Sequence, residues 1–437
     1  MSWINYFSNR VEKHHPFGRG TNADISPNEE ELFNKSYEAF ENKNILDAYE
    51  YFLNSLQNYT QKVPNNNIIL DKSNKKLHFE LFQGTSKIVG TITNENFYAE
   101  VIITKKDDAN VPLKRYILER NYQLTYACYY VDEEYIKLKV FFNNTTMSPQ
   151  KVFFPIRELA LNSDFDKEHI VSEFSNIKLE DIKHITPINR NDLETKFKFL
   201  HLWIEELETK VSTLPSNDNT GMLAFLYLNF MFKIDYLLIP KYTIYQKTSK
   251  KIQEYFSDEN SSIESKNEEL KNYILKLKEM SLEDFSQNFY DAKYTFNPIE
   301  KTSYEEVVNF ISESLIKIRW YKNNRYNQII PTIYRYIAFY SLYNYGLNQV
   351  QRNLLHLLIS IQNPIFFKEL EYKTYYDMEK ETFSKRAIIS DIEDIIQTHQ
   401  SHFKSLKPFG DELNFTSMNE FSNSFYIQLK HLNFEEI

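Results

Sequence analysis

The spacing of hydrophobic and polar positions changes twice along the chain. Between residues 28 and 64, apolar side chains recur with helical spacing on both sides of a polar turn at 42–44, which predicts a helical hairpin. From residue 65 to about residue 144, hydrophobic and polar residues alternate, as they do in half-buried β-strands. Helical spacing returns after residue 190. The pattern therefore predicts an α+β N-terminal domain followed by an all-α domain.

The alternating region predicts five strands, which are divided by a short helix at 111–120. Three strands precede this helix and two follow it, with predicted ranges of 76–82, 87–93, 97–104, 124–131 and 135–142. Ser148-Pro149 is a typical helix start, and it predicts a further helix that continues to Phe174. Because strands and helices do not alternate strictly, we expect a mainly antiparallel sheet with helices packed on one face.

The chain is long enough for more than one domain. We expect a flexible N-terminus at 1–27, a helical hairpin at 28–64, an α+β domain at 65–180, a linker at 181–190 and an all-helical domain at 191–437. In the all-helical domain, the apolar segment 222–237 predicts a buried central helix. The last helices are predicted at 364–378 and 383–399. A helical bundle or an irregular solenoid fits this part, because no repeat of tetratricopeptide length recurs.

Three short segments carry a resemblance to a known family. They are 112–118 (PLKRYIL), 124–127 (LTYA) and 135–140 (YIKLKV), and their predicted order is helix, strand, strand. Together with the order of the other elements, they resemble the type III secretion chaperone-like family, including the YbjN-type proteins, over roughly residues 65–175. The resemblance implies a protein-binding domain that dimerises or clamps a partner, and it brings no catalytic residues.

Composition argues against several classes of function. The 437 residues include only seven glycines, and no two of them fit G-x-G-x-x-G or the Walker pattern, so neither phosphate-binding loop is expected. The net charge of −9 argues against non-specific nucleic-acid binding, which depends on Lys and Arg. A single cysteine excludes an intramolecular disulfide and a cysteine-based zinc site, and it suits a reducing compartment. We expect no cofactor.

The N-terminus and the distribution of apolar residues indicate a cytoplasmic protein. The first twenty residues lack a continuous apolar core and a small-residue cleavage site, so we expect no signal peptide. The longest apolar segment, 222–239, is interrupted by Asn229, Lys233 and Asp235. We therefore expect no membrane span.

The histidine pair at 399 and 402 is a candidate metal site. His399 and His402 would share one face of a helix. One and two turns back, that face carries Ile395 and Ile392, which cannot bind a metal, so a solvated helix end is the favoured interpretation. His356 lies in an apolar helical pattern and is interpreted as a core histidine.

Cys128 is the only candidate thiol nucleophile. It lies between Tyr126 and Tyr130 in a predicted strand, and we expect it to be a small buried side chain. No serine lies in a G-x-S-x-G elbow. The sequence therefore predicts no catalytic or metal-binding residues.

The most distinctive local run interleaves arginines with aromatic residues. A possible interaction surface is formed by Arg319, Trp320, Tyr321, Lys322, Arg325, Tyr326 and Arg335. Such residues can anchor a protein interface, or stack bases and contact phosphates. They can equally pack two helices together, with arginine stems lying over aromatic faces. The sequence leaves these three interpretations open.

Our leading hypothesis is a non-enzymatic cytoplasmic protein-binding module that acts as a chaperone-like protein or an adaptor. Its partner is expected to be another protein, and a homodimer is one alternative. A second hypothesis is a nucleic-acid-associated factor that uses the basic and aromatic residues between Arg319 and Arg335. A third is an enzyme of unfamiliar type in the helical domain.

Overall fold

The computed structural model describes residues 17–20, 23, 25–60, 63–64, 66–174, 176–215, 217 and 219–434. It confirms the predicted fold class, because an antiparallel six-stranded sheet with packed helices precedes a largely helical region. The predicted hairpin is also present, as α1 (Pro27–Glu41) and α2 (Ile45–Ser55).

The sheet follows the hairpin and has the order β1-β2-β3-β4-β6-β5, with every neighbouring pair antiparallel. Its strands are β1 (Ile68–Ser73), β2 (Lys76–Gln83), β3 (Ser86–Ile92), β4 (Asn96–Lys105), β5 (Cys128–Val131) and β6 (Tyr135–Asn143). The alternating pattern predicted five of these strands and missed β1. In this edge strand only Ile68 is buried, so its sequence lacks the alternation of the inner strands.

Helices α3 (Val111–Gln123) and α4 (Pro149–Glu173) complete the N-terminal domain. The long α4 packs across the central strands together with the hairpin, and it buries one face of the sheet. Phe97 lies at the centre of this core, where its ring stacks on Phe142 with centroids 4.6 Å apart. The opposite face of the sheet is open, as expected for an antiparallel sheet with helices on one side.

The edge strand β5 is shorter than predicted because α3 and α4 take over its backbone partners. Residues 125–127 are not in a strand, and their three amides donate to the carboxylate of Glu158 on α4, at distances from 2.6 to 3.2 Å. The side chain of Asn121 on α3 accepts from the Tyr129 amide at 2.5 Å and donates to the Tyr129 carbonyl at 3.1 Å. The outward backbone groups at Tyr129 are therefore already paired.

The helical domain contains eleven further helices among the described residues. They are α5 (Arg190–Ser212), α6 (Thr220–Lys233), α7 (Tyr242–Ser257), α8 (Ile263–Lys278), α9 (Leu282–Ser286), α10 (Tyr304–Asn323), α11 (Ile330–Asn344), α12 (Gln349–Gln362), α13 (Pro364–Glu369), α14 (Lys385–His399) and α15 (Met418–Leu429). A π-helical turn, Ile234–Leu238, continues α6. The stretch Thr220–Leu238 is long and apolar enough to cross a membrane, but 72% of its most apolar window is buried inside the protein.

Two predictions for the C-terminal region are wrong. The helix predicted at 364–378 ends at Glu369, because Glu371 has a left-handed backbone with φ of 64°, and a short β-hairpin pairs Tyr376–Asp377 with Thr382–Phe383. Helix α15 was not predicted at all. It begins after Ser417, whose hydroxyl accepts from the amide of Glu420, and it buries aromatic residues in the helical core.

The two domains exchange segments, which the predicted boundaries did not anticipate. Phe17 lies in the segment expected to be flexible, yet it is buried in the helical core, with its ring 5.0 Å from that of His356. That expectation is therefore wrong for residues 17–20, while residues 1–16 lie outside the described residues. Conversely, Phe296 from the helical region packs in the core of the sheet domain. The Gln83 side chain accepts hydrogen bonds from the amides of Thr295 and Phe296, at 3.0 and 2.9 Å.

Candidate functional site

Six of the seven residues predicted as an interaction surface lie where α10 turns into α11. We call this region the α10–α11 corner, and it comprises Arg319, Trp320, Tyr321, Lys322, Arg325 and Tyr326. The turn is tight, with Arg325 in the left-handed region at φ of 64°. The structure therefore gathers these residues at one exposed end of a helix pair.

Aromatic rings form the centre of the α10–α11 corner. The Trp320 ring lies 6.3 Å from that of Tyr326 in a stacked arrangement, and Tyr321 meets Trp320 edge-on at 5.0 Å. Trp320 is 55% exposed and Ile316, one turn earlier on α10, is 59% exposed. Two large apolar side chains therefore face solvent side by side on α10, surrounded by the exposed cations of the corner.

Arg335 does not belong to the corner. Its guanidinium turns towards α5, where it lies 3.6 Å from Glu206. Burial raises the pKa of Glu206, but the charges of Lys233, Arg335 and Lys210 outweigh this and lower the pKa to about 2. Arg335 thus pairs with a carboxylate of α5 and links α11 to α5.

Cys128 is exposed, so the expectation of a buried cysteine is wrong. Positions 128 and 130 of β5 face the open side of the sheet, while Tyr129 points into the core. The predicted alternation along this strand is correct, but the side chain of Cys128 lies on the open face of the sheet and not on the buried face. Opposite Cys128, Lys139 also lies on the open face.

His399 is the last residue of α14 and His402 lies beyond the end of that helix, whereas His356 lies on α12. His399 has its Nδ1 2.9 Å from the Ile395 carbonyl, one turn back on α14, and His402 packs edge-on against Phe403. His356 lies with Nδ1 3.0 Å from the Tyr236 hydroxyl, and burial lowers its pKa to about 4. Within the described residues, no three His, Cys, Asp or Glu side chains are grouped to hold a metal ion.

The outward side of α3 carries the most exposed large apolar side chains of the described residues. Val111 is 61%, Leu118 70% and Tyr122 92% exposed. Their spacing of seven and four residues places them on one side of the helix, opposite the buried Leu113 and Ile117. We call this side the α3 face. Sequence reasoning assigned α3 correctly but did not identify its exposed apolar side.

A cluster of buried charged residues joins the two domains, and no sequence pattern indicated it. This ionic junction comprises Arg19, Asp164, Glu168, Asp235 and Lys241. Arg19 lies 3.5 Å from the carboxylate of Glu168 on α4 and 3.8 Å from that of Asp235 in the π-helical turn. All three side chains are at most 14% exposed.

The pKa values of Asp164 and Lys241 in the ionic junction are strongly shifted. Burial, together with the charge of Glu168, raises the pKa of Asp164 to about 6. Burial, together with Arg19, lowers the pKa of Lys241 to about 7. Lys241 donates a hydrogen bond to the Tyr294 hydroxyl. Such shifts are common at functional sites, and they also occur in structural ion-pair networks.

The size of the adjoining cavity favours a structural ion-pair network over a functional site. The cavity is lined by Lys241, Lys196 and Tyr290 among others, and its volume of about 20 Å³ is that of one water molecule rather than a substrate. Lys196 is itself held by the Leu238 carbonyl at 2.7 Å. The geometry therefore joins the domains, and the cavity that the described residues form beside Lys241 has room for about one water molecule.

Comparison with known proteins places the chain in no family. No model of a known protein family matches it, and a search of curated proteins finds no matching relative.

Proposed function

We propose that this protein is a non-enzymatic, cytoplasmic protein-binding module, and that the α3 face is its principal docking surface. The observation that carries the proposal is the exposure of Val111, Leu118 and Tyr122 along one side of a single helix. Large exposed apolar side chains that share one side of a helix mark interaction sites on soluble proteins. The resemblance to type III secretion chaperone-like domains, which implies dimerisation or clamping of a partner, supports the same proposal.

The first occupant of the α3 face is a second copy of the chain. In an antiparallel pairing of two α3 helices about a two-fold axis near Leu118, Arg115 of one copy faces Glu119 of the other. Both side chains are exposed. The apolar stripe then meets itself at the centre while the opposite charges meet beside it, so the face is complementary to itself.

A partner docks on the side chains of the α3 face and does not add a strand to the edge of the sheet. The edge strand β5 lies next to α3, but the Asn121 amide occupies the Tyr129 backbone groups on its open side. Glu158 similarly occupies the three amides before the strand. A partner strand would have to displace these bonds, whereas a helix packed on the α3 face would not.

The α10–α11 corner is the second docking surface in this proposal and gives the module its adaptor character. Ile316 and Trp320 supply an apolar anchor, and Arg319 and Arg325 favour a partner segment with acidic flanks. The alternative is single-stranded nucleic acid stacked on the corner rings. Arg335 points towards Glu206 and therefore does not supply a cation for nucleic-acid phosphates at the corner. This favours a protein partner.

The oligomeric state tests the α3 face directly. Light scattering coupled to size-exclusion chromatography is expected to show a dimer for the wild type and a monomer for Leu118→Glu, because a charge cannot be buried between two apolar stripes. Leu202→Glu is the matched control, since Leu202 is an exposed leucine on α5 and its variant is expected to remain dimeric.

Exchanging the charges of Arg115 and Glu119 tests whether these two residues face each other in the dimer. Arg115→Glu and Glu119→Arg are each expected to weaken the dimer, and the double variant is expected to restore it. A monomeric wild type at high concentration would contradict the assignment of a second copy. Low-salt binding of a fluorescent oligonucleotide that is lost in Arg319→Glu and Arg325→Glu would favour the nucleic-acid alternative at the corner.

A further inference from the structure

We infer that the groove between α7 and α8 is a binding site for a small anionic amphiphile, meaning one acidic headgroup on a single apolar chain. The groove has a volume of about 350 Å³, which is within the range of small-molecule sites. The end of α4, at Glu173, closes one side of it. None of Val111, Leu118 and Tyr122 lines the groove, so the site does not depend on the proposed dimer.

The floor of the groove is apolar. Ile244 of α7 and Leu277 of α8 are buried there, and Met280 extends the floor beyond the end of α8. Tyr273 also lines the groove, but its hydroxyl is bonded to Thr248 at 2.9 Å and to the Ile244 carbonyl at 3.2 Å. The tyrosine therefore presents its ring to the groove, and the floor suits a hydrocarbon chain.

The rim of the groove is positively charged. Lys247 and Lys250 on α7 and Lys276 on α8 line it, and all three are exposed. None of the three forms an ion pair with any residue in the described part of the chain. Three lysine charges are therefore free to bind a ligand at the rim, and they repel one another when no anion lies between them.

The acidic residues of the groove offset part of this charge and leave a net positive charge. Glu254 and Glu269 both bind Lys251, at 3.0 and 2.9 Å, at the end of the groove nearest the α7–α8 loop. Four lysines and three glutamates line the groove, so its net charge is +1, and Lys276 lies near enough to Glu269 to help lower the pKa of that carboxyl. The arrangement therefore favours an anionic headgroup at the lysine rim with its chain on the apolar floor.

Titration with dodecanoate, below its aggregation concentration, tests the site. Calorimetry on the full chain is expected to show saturable binding to one site. Changing Lys247, Lys250 and Lys276 together to Gln is expected to weaken that binding by at least about tenfold, because charge-assisted hydrogen bonds to the headgroup are lost. Lys271→Gln is the matched control, since Lys271 lies on the same helix and pairs with Glu268 outside the groove. This variant is expected to bind as the wild type does.

Two ligand controls separate the headgroup from the chain. Acetate is expected not to bind, because it lacks the chain, and dodecyltrimethylammonium is expected not to bind, because its charge is opposite. Equal binding of dodecanoate by the wild type and the triple variant would overturn the inference. So would tighter binding to phosphatidylglycerol vesicles than to dodecanoate, since that result assigns the lysines to a membrane surface. Circular dichroism of the triple variant verifies that it is folded.

Discussion

Arg19 lies flat over the ring of Tyr245, with its Cζ 3.0 Å from the ring centroid. The guanidinium is thereby enclosed between an aromatic face of the helical domain and the carboxylates of Glu168 and Asp235. Glu168 also accepts a hydrogen bond from the Tyr290 hydroxyl at 2.8 Å. Because Arg19 comes from the N-terminal segment, a part of the chain distant in sequence holds α4 against the helical domain.

Replacement of Arg19 is expected to destabilise the protein strongly. Arg19→Met keeps an apolar stem over Tyr245 but leaves the carboxylates of Glu168 and Asp235 buried without their cation. Removal of one partner from a buried ionic pair costs about 3–5 kcal/mol in the free energy of unfolding. Urea denaturation measures this change. Lys35→Met is the matched control, because its pair with Glu31 is exposed and is expected to contribute little to the free energy of unfolding. Equal stabilities of the two variants would contradict an ionic role for Arg19.

Gly84 is expected to tolerate no side chain. It has a left-handed backbone with φ of 54°, and a Cβ there would lie 2.2 Å from a carboxylate oxygen of Asp164. That carboxylate accepts from the Thr85 amide at 2.7 Å and from its hydroxyl at 2.8 Å. Gly84→Ala must displace Asp164 and break this contact between the β2–β3 turn and α4.

Thermal denaturation checks the Gly84 prediction, with a loss of at least about 2 kcal/mol expected from combined strain and unpaired polar groups. Gly221→Ala is the control, because Gly221 lies in the first turn of α6 and its added Cβ would meet only the Tyr321 hydroxyl, at 3.4 Å. That variant is expected to be neutral or stabilised by up to about 1 kcal/mol. A stable Gly84→Ala variant would show that the turn can move away from α4.

Asn121 is expected to protect the edge of the sheet. Asn121→Ala frees the amide and carbonyl of Tyr129 on β5 without altering the α3 face. Hydrogen exchange at the Tyr129 amide is expected to be faster in the variant, and self-association at high concentration is expected to increase, because an unpaired edge recruits other strands. Asn34→Ala is the control, because Asn34 is an exposed asparagine on α1, away from the sheet edge. Unchanged exchange at Tyr129 would mean that Asn121 does not close the edge.

The elements that were predicted correctly are those whose sequence signal is local. Helix α4 is one example, because Ser148 caps it and accepts from the amide of Lys151, at the helix start that Ser148-Pro149 predicted. The inner strands are another, since their alternation reflects one buried and one open face. Strand β1 was missed because an edge strand with a single buried residue lacks that alternation.

The ionic junction could not be predicted from local signals. In the sequence, Arg19, Glu168 and Asp235 resemble ordinary surface charges, and they lie on three separate elements. Only the exchange of segments between the domains brings them together and removes them from water. The α3 face was recoverable in principle, because the helix has apolar residues on opposite sides, yet periodicity alone does not show which side remains exposed.

The pH dependence of stability is expected to reveal the buried Lys196. Its ammonium group is enclosed beside the Phe289 ring and donates to the Leu238 carbonyl at 2.7 Å. Burial lowers its pKa in the folded state to about 8, whereas the unfolded chain keeps the ordinary value of about 10.4. Between these two values the unfolded state binds the proton and the folded state does not. This group therefore makes the free energy of unfolding rise with pH in that window, and below it the folded protein bears the full penalty of a buried charge.

Lys196→Met removes this dependence. Measured by urea denaturation at pH 8 and pH 10, the wild type is expected to gain about 2 kcal/mol relative to the variant, which is the part of the effect of the lowered Lys196 pKa that falls between these two pH values. Lys198→Met is the matched control, because Lys198 lies two positions away on α5 and forms an exposed pair with Glu369. Its stability is expected to change with pH in parallel with the wild type. If Lys196→Met also paralleled the wild type, the lysine would titrate at its ordinary pKa and its enclosure would be incomplete.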